Sequence, residues 1–250
     1  MPFVPATDVT LSSAVHDPRG RLVPAIERLA PALKATFSHV ALNISDATAP
    51  DVVTAARSLL DAEIIFHPAG EAMIGCRRRD AVRLGLRSDA VLYSDPDHLL
   101  RWIEFGPDNL RGILTGHAAI DFLVIGRSAQ ALSAEPRRLR ETERLVNHIH
   151  TLITGERWDL MFAVRRMSKN AAALIVEHGK VDTLANDVEW PLLAREAGLN
   201  VGYAESDALF YRTIEEFGAP ADTGDEEPLQ WIRRMEFAAQ HASAMRRFLK

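Results

Sequence analysis

The chain of 250 residues has a single cysteine, Cys76. That excludes an intramolecular disulfide and fits a reducing compartment. No apolar run approaches the ~20 residues that span a bilayer. The N-terminus, Met-Pro-Phe-Val-Pro-Ala-Thr-Asp, lacks the basic and apolar segments of a signal peptide. These absences predict a cytoplasmic protein without a transmembrane segment. No Gly-x-Gly-x-x-Gly follows the first predicted strand, which counts against a dinucleotide dehydrogenase. The phosphate-loop lysine motif is missing as well. There is no excess of positive charge: the net charge of −5 gives no general attraction to nucleic acid or an anionic membrane. Internal repeats and low-complexity segments are also absent.

Hydrophobic residues make up 47% and charged residues 25%, an ordinary globular composition with enough chain for one large core or two small ones. Strands are predicted at 8–15, 40–44, 63–66 and 90–93, with helices at 22–37, 49–60 and 73–86 between them. This β-α alternation with short connections predicts a mainly parallel sheet with helices on both faces. Ligands of such sheets bind beyond the carboxyl ends of the strands, so the loops at 16–21, 67–71 and 95–98 are expected to converge. Helical sequence follows in two pieces over 99–114, broken at Gly106-Pro107, then a strand at 121–125 and helices at 136–153 and 167–178. A helix from Asn186 stopping at Gly198, a strand at 200–204, an acidic loop at 218–228 and a closing helix at 229–249 complete the chain. Basic residues cluster at 77–87, 137–144 and 165–169, which in an acidic protein suits a small anionic ligand.

The most informative stretch is 75–104. An arginine-bearing helix leads into Ala90-Val91-Leu92-Tyr93, which ends at Asp95-Pro96-Asp97. Paired carboxylates at the end of a buried strand suit a hard divalent ion such as Mg²⁺ or Mn²⁺, and those ions bring phosphate oxygens with them. The competing structural explanation has Asp95 capping the next helix and Asp97 in its acid-favoured first turn. Asp187 has the same two readings, helix cap or functional carboxylate. Consecutive Arg77, Arg78 and Arg79 cannot all face one ligand. The arginines near Cys76 would lower its pKa, yet without a resolving cysteine packing is its expected role.

In this order, Gly75, Arg77 to Arg79 and Asp95-Pro96-Asp97 resemble the GT-A fold nucleotide-sugar glycosyltransferases over residues 8–104. Asp187-Val188-Glu189-Trp190 resembles the acidic segment that family places beside its acceptor. Asp80 stands where asparagine is frequent, and Asp95-Pro96-Asp97-His98 is less acidic than many family metal motifs. The resemblance implies a single α/β domain with a nucleotide-sugar-binding half (1–128) and an acceptor-side, helical C-terminal half (129–250). It implies a nucleotide-diphosphate sugar as donor, an unspecified acceptor, and no nucleic acid. A divalent metal, Mn²⁺ or Mg²⁺, would be held by Asp95 and Asp97. Asp187 or Glu189 would serve as base, and His16, Asp17, Arg19, Gly75, Arg77, Arg79, Ser94 and Arg127 would bind the nucleotide or substrate. A sugar nucleotidyltransferase and a non-catalytic nucleotide-binding relative are the alternatives, though His16-Asp17-Pro18-Arg19-Gly20-Arg21 imitates the nucleotidyltransferase signature poorly.

Overall fold

A computed structural model describes residues 7–210 and 223–249. Residues 218–222 of the expected acidic loop, and 1–6 of the N-terminal stretch, lie outside the described residues. Among the described residues seven strands form one sheet: β1 (Val9–Val15), β2 (His39–Ser45), β3 (Glu63–His67), β4 (Ala90–Ser94), β5 (Phe122–Arg127), β6 (Val164–Ser168) and β7 (Val201–Ser206). Their order is β3-β2-β1-β4-β6-β5-β7. The pairs β1–β2, β1–β4, β2–β3 and β5–β7 are parallel, whereas β6 runs antiparallel to both β4 and β5. The mainly parallel α/β sheet expected from the alternation is present.

Side chains alternate across the sheet, so one strand feeds two cores. Leu92, Leu123 and Ile125 enter one core, and Val91, Tyr93, Phe122 and Val124 the other. Helices α1 (Val23–Thr36), α2 (Pro50–Leu60), α4 (Pro96–Phe105) and α5 (Pro107–Gly116) cover the first face. On the second lie α3 (Ile74–Leu84), α7 (Arg137–Thr154), α8 (Lys169–His178), α9 (Asn186–Glu196) and α10 (Pro228–Met245), while the short α6 (Ala129–Ser133) follows β5. The break at Gly106-Pro107 falls where expected, since Pro107 lacks the N–H that would continue α4.

Strand β6 is a correction to the sequence reading. Val164-Arg165-Arg166-Met167 carries no apolar alternation and reads as part of a basic cluster. In the fold both arginines are buried and bind backbone carbonyls. Arg165 donates to the carbonyls of Leu160, Phe162, Val164 and Asp187, and Arg166 to that of Ile120. The 165–169 cluster is therefore structural, and the helix expected from Met167 begins at Lys169. Ser168 caps it, accepting from the Ala171 N–H. The other two clusters disperse as well: Arg83 pairs with Asp80, Arg87 with Glu63 and Arg137 with Glu141.

Candidate active site

The carboxyl ends of β1, β3 and β4 open into a continuous trench. Its first part is largely apolar and lies among Val15, His16, His67, Ile74, Leu184 and Phe237. It continues past Asp17, Arg21, Asp95 and Asp97. Beyond Asp95 it becomes a charged cavity of about 370 Å³ that includes Asp187, Arg101, Arg127, Arg234 and His241. The loops after β1, β3 and β4 converge as the strand order requires.

Asp95 ends β4 in an extended conformation (φ −64°, ψ 143°), the geometry imposed on a residue before proline. Pro96 then starts α4. The Asp95 side chain does not cap that helix. It accepts from Arg78 Nη2 at 2.7 Å and from the Tyr93 hydroxyl at 2.7 Å. Asp187, in the first turn of α9, does not cap its helix either. It accepts from Arg78 Nη1 at 2.9 Å. A buried guanidinium thus bridges the two carboxylates from either side of the cleft. Burial opposes the charge on Arg78, but Asp95 and Asp187 outweigh it and hold the guanidinium protonated. Burial likewise raises the Asp187 carboxyl, and Arg78, Arg165 and His241 reverse that, keeping it below the ordinary aspartate value.

The arginine that faces the cleft is the one absent from the expected binding residues. Of the expected Arg77 and Arg79, Arg79 donates to the Val181 carbonyl at 2.6 Å and pairs with Asp182, outside the cavity. Arg77 lines no part of the trench described above. A sequence signal for Arg78 exists: Gly75, Arg78, Ala81 and Val82 are the buried positions of α3, and their spacing marks one helix face. Gly75 lies on that face for packing. Its N–H donates to Asp182 O, and a Cβ there would stand 2.4 Å from the Val181 carbonyl oxygen.

Other expected residues divide. His16 lies on the trench wall, its Nδ1 2.7 Å from the Ser45 hydroxyl. Asp17 lines the trench but is spent on loop structure, accepting from the Leu22 N–H. Ser94 is fully buried and donates to the Asp95 carbonyl, and Arg19 is exposed and lines no part of the trench. Arg127 borders the charged cavity, yet it is engaged by Asp159 at 2.7 Å, Glu143 at 2.5 Å and Glu135 at 2.8 Å. Glu189 is wholly buried away from the cavity, accepting from the N–H groups of Lys180 and Val181 and from Arg247. It braces a loop, which removes it from the candidates for a base. Asp97 is exposed in the first turn of α4, with His98 its ion-pair partner at 3.7 Å. Burial and then Asp80 push the Cys76 thiol up, against the expected effect of its arginines.

Two cavity residues lie outside the expected set. His98, in the first turn of α4, stacks on Phe162 with ring centroids 3.7 Å apart. His241, from the distant α10, is fully buried. Its Nδ1 lies 2.6 Å from the Phe237 carbonyl oxygen, and its unpartnered Nε2 lies 4.0 Å from Asp187.

Among the described residues, the strand order, the reversed strand and the two helical layers match a GT-A-type fold. In particular, the chain is similar to the solved structure of glucosyl-3-phosphoglycerate synthase from Mycobacterium tuberculosis in complex with phosphoglyceric acid. Identity is 12%, with 91% of this chain and 80% of that chain covered and a TM-score of 0.57. It is similar also to that synthase with Mn²⁺, UDP-glucose and phosphoglyceric acid, at 11% identity, 91% and 79% coverage and a TM-score of 0.53. A structure described only as a mycobacterial protein matches at 13% identity, 91% and 74% coverage and a TM-score of 0.56. No protein-family model and no curated protein sequence matches the chain. Among the described residues no helix is long and apolar enough to cross a membrane.

Proposed function

We propose that the protein is a glycosyltransferase that moves a sugar from a nucleoside-diphosphate sugar to an acceptor hydroxyl with the help of Mn²⁺ or Mg²⁺. The carrying observation is the order of environments along the trench: apolar at β1 and β3, acidic at Asp95 and Asp97, densely charged beyond. A base and ribose suit the first, a metal-bound diphosphate the second, and a sugar with its acceptor the third. The similar synthase binds Mn²⁺ and UDP-glucose together.

The side chains fit an ion shared with phosphates. Among the described residues no three His, Cys, Asp or Glu side chains are placed to cage a metal. Mg²⁺ and Mn²⁺ characteristically accept one or two protein ligands plus substrate phosphates. Asp97 is the available carboxylate, because Asp95 is already occupied by Arg78 and Tyr93. His241 is the second candidate: it borders the same cavity and its Nε2 has no hydrogen-bond partner. When bound, the ion would offset charge building on the leaving phosphate. Arg78 would add a fixed positive charge to the same end of the cleft. Asp187, kept ionised, would accept a hydrogen bond from the acceptor hydroxyl and orient it toward the sugar. Its depressed pKa makes it a weak base, so orientation is its larger contribution.

One observation favours the non-catalytic alternative: Arg78 already neutralises Asp95 and Asp187, as would suit a protein that binds a nucleotide sugar without turnover. Melting temperatures with UDP-, GDP-, ADP- and CDP-sugars, with Mn²⁺ and with chelator, together with release of the nucleoside diphosphate, separate these readings. Transfer requires one donor to stand out and its diphosphate to be released. Binding alone gives the shift without release, and no shift with any nucleotide rejects both.

A further inference from the structure

Among the described residues, the charged cavity beyond Asp95 is lined by four arginines, and three are neutralised. Arg78 has Asp95 and Asp187, Arg127 has three carboxylates, and Arg234 has Glu143. Arg101 on α4 is the exception. It is only 8% exposed, its Nη1 donates to the Phe210 carbonyl at 2.6 Å, and its Nε is buried without a partner. Among the described residues no carboxylate lies within ion-pair distance of it; Asp97, one turn earlier on α4, acts on it only from farther off. One turn earlier, His98 borders the same cavity, with its Nδ1 buried and unpartnered. A guanidinium buried without a contacting counter-ion is unfavourable, and unmatched buried polar atoms add to that cost. Such a pair is stable in use when a ligand brings the missing negative charge.

Resting on the glycosyltransferase reading above, we propose that Arg101, backed by His98, binds a carboxylate or phosphate group of the acceptor. The acceptor is then a small anionic molecule and not a neutral glycan. Arg101 and Asp187 border one cavity, so an acceptor anchored by its anion at Arg101 presents a hydroxyl to Asp187. A volume of about 370 Å³ is that of a small-molecule site. The planar guanidinium suits two-oxygen recognition of either anion. The donor diphosphate shares this chemistry, and the test must tell the two apart.

Inorganic phosphate and malonate serve as probes, titrated calorimetrically into the full chain with and without saturating UDP and Mn²⁺. An acceptor subsite binds at least one of them in both conditions. Arg101→Gln then weakens that probe about tenfold or more while UDP affinity stays within about twofold. Displacement of the probe by UDP assigns Arg101 to the donor and overturns the proposal. Unchanged probe affinity in Arg101→Gln, or no binding of either probe, overturns it too. Should Arg101→Gln fail to fold, His98→Gln replaces it, with weaker probe binding expected and unchanged binding counting against the subsite. A chain that binds the probe through Arg101 but binds no nucleotide would remove the glycosyltransferase reading while upholding the anion site.

Discussion

Arg78 Nη2 lies 2.7 Å from the carboxylate of Asp95, tying the middle of α3 to the end of β4. The same guanidinium reaches Asp187 at 2.9 Å, so three separate elements meet on one buried cation. Removing it would leave two carboxylates facing the same cavity without their shared cation. Arg78→Met is expected to cost about 3–5 kcal/mol, the range for breaking a buried ion pair on one side. Arg78→Lys should recover only part, because an ammonium cannot reproduce the planar two-sided fork. Denaturant titration measures both. A loss below about 1 kcal/mol for Arg78→Met would mean that the bridge contributes little.

The two carboxylates of the Asp-Pro-Asp triplet should respond differently. Asp97→Asn is expected to abolish the metal dependence of nucleotide binding with little effect on stability, because Asp97 is exposed. Asp95→Asn removes one partner of buried Arg78 and should lower stability by about 1–3 kcal/mol. Calorimetry with Mn²⁺ and with chelator reads the first effect, and thermal unfolding the second. Wild-type affinity that is the same in both conditions would exclude an ion bridging the nucleotide.

The buried His150 supplies a pH signature. Burial lowers its pKa from 6.5 to about 4. The folded state prefers the neutral imidazole, so its contribution is present above pH 6.5 and is lost as pH falls toward 4. The expected loss is about 3 kcal/mol over that window. Replacement by phenylalanine should flatten this limb in stability measured against pH. An equally steep limb in the variant would place the acid sensitivity elsewhere.

Gly75→Ala tests how tightly α3 meets the 181–183 loop. The new methyl would stand 2.4 Å from a backbone carbonyl oxygen that has no side-chain freedom to retreat. A loss of about 1–3 kcal/mol is expected, as for overpacking elsewhere. Because Leu184 and Asp187 follow that loop, nucleotide affinity should fall as well. A fully stable alanine variant would show that the loop yields.

Most of the frame was legible. Runs such as 40–44 and 90–93 are short, apolar and bounded by turn signals, and each became a strand. Strand β6 was hidden because its arginines satisfy carbonyls inside the fold, where charge count reads as exposure. In the site, Asp95 and Asp187 stood out by their positions at element ends. Arg78 differed from its neighbours only in helical phase, which the spacing of Gly75, Ala81 and Val82 carries but the triplet of arginines conceals. His241 had no local signal. Its place depends on how α10 returns over α9, a contact between segments far apart in sequence.

The reversed strand has a consequence for synthesis. Both neighbours of β5 in the sheet, β6 and β7, come later in the chain. Phe122 to Ile125 therefore leave the ribosome as a wholly apolar segment with no edge to join until Val164–Ser168, and later Val201–Ser206, have followed. During translation that segment is exposed to wrong partners, as unpaired strand edges are in any slow non-local assembly. A nascent chain stalled before β6 should need a holding chaperone, and one released after β7 should not.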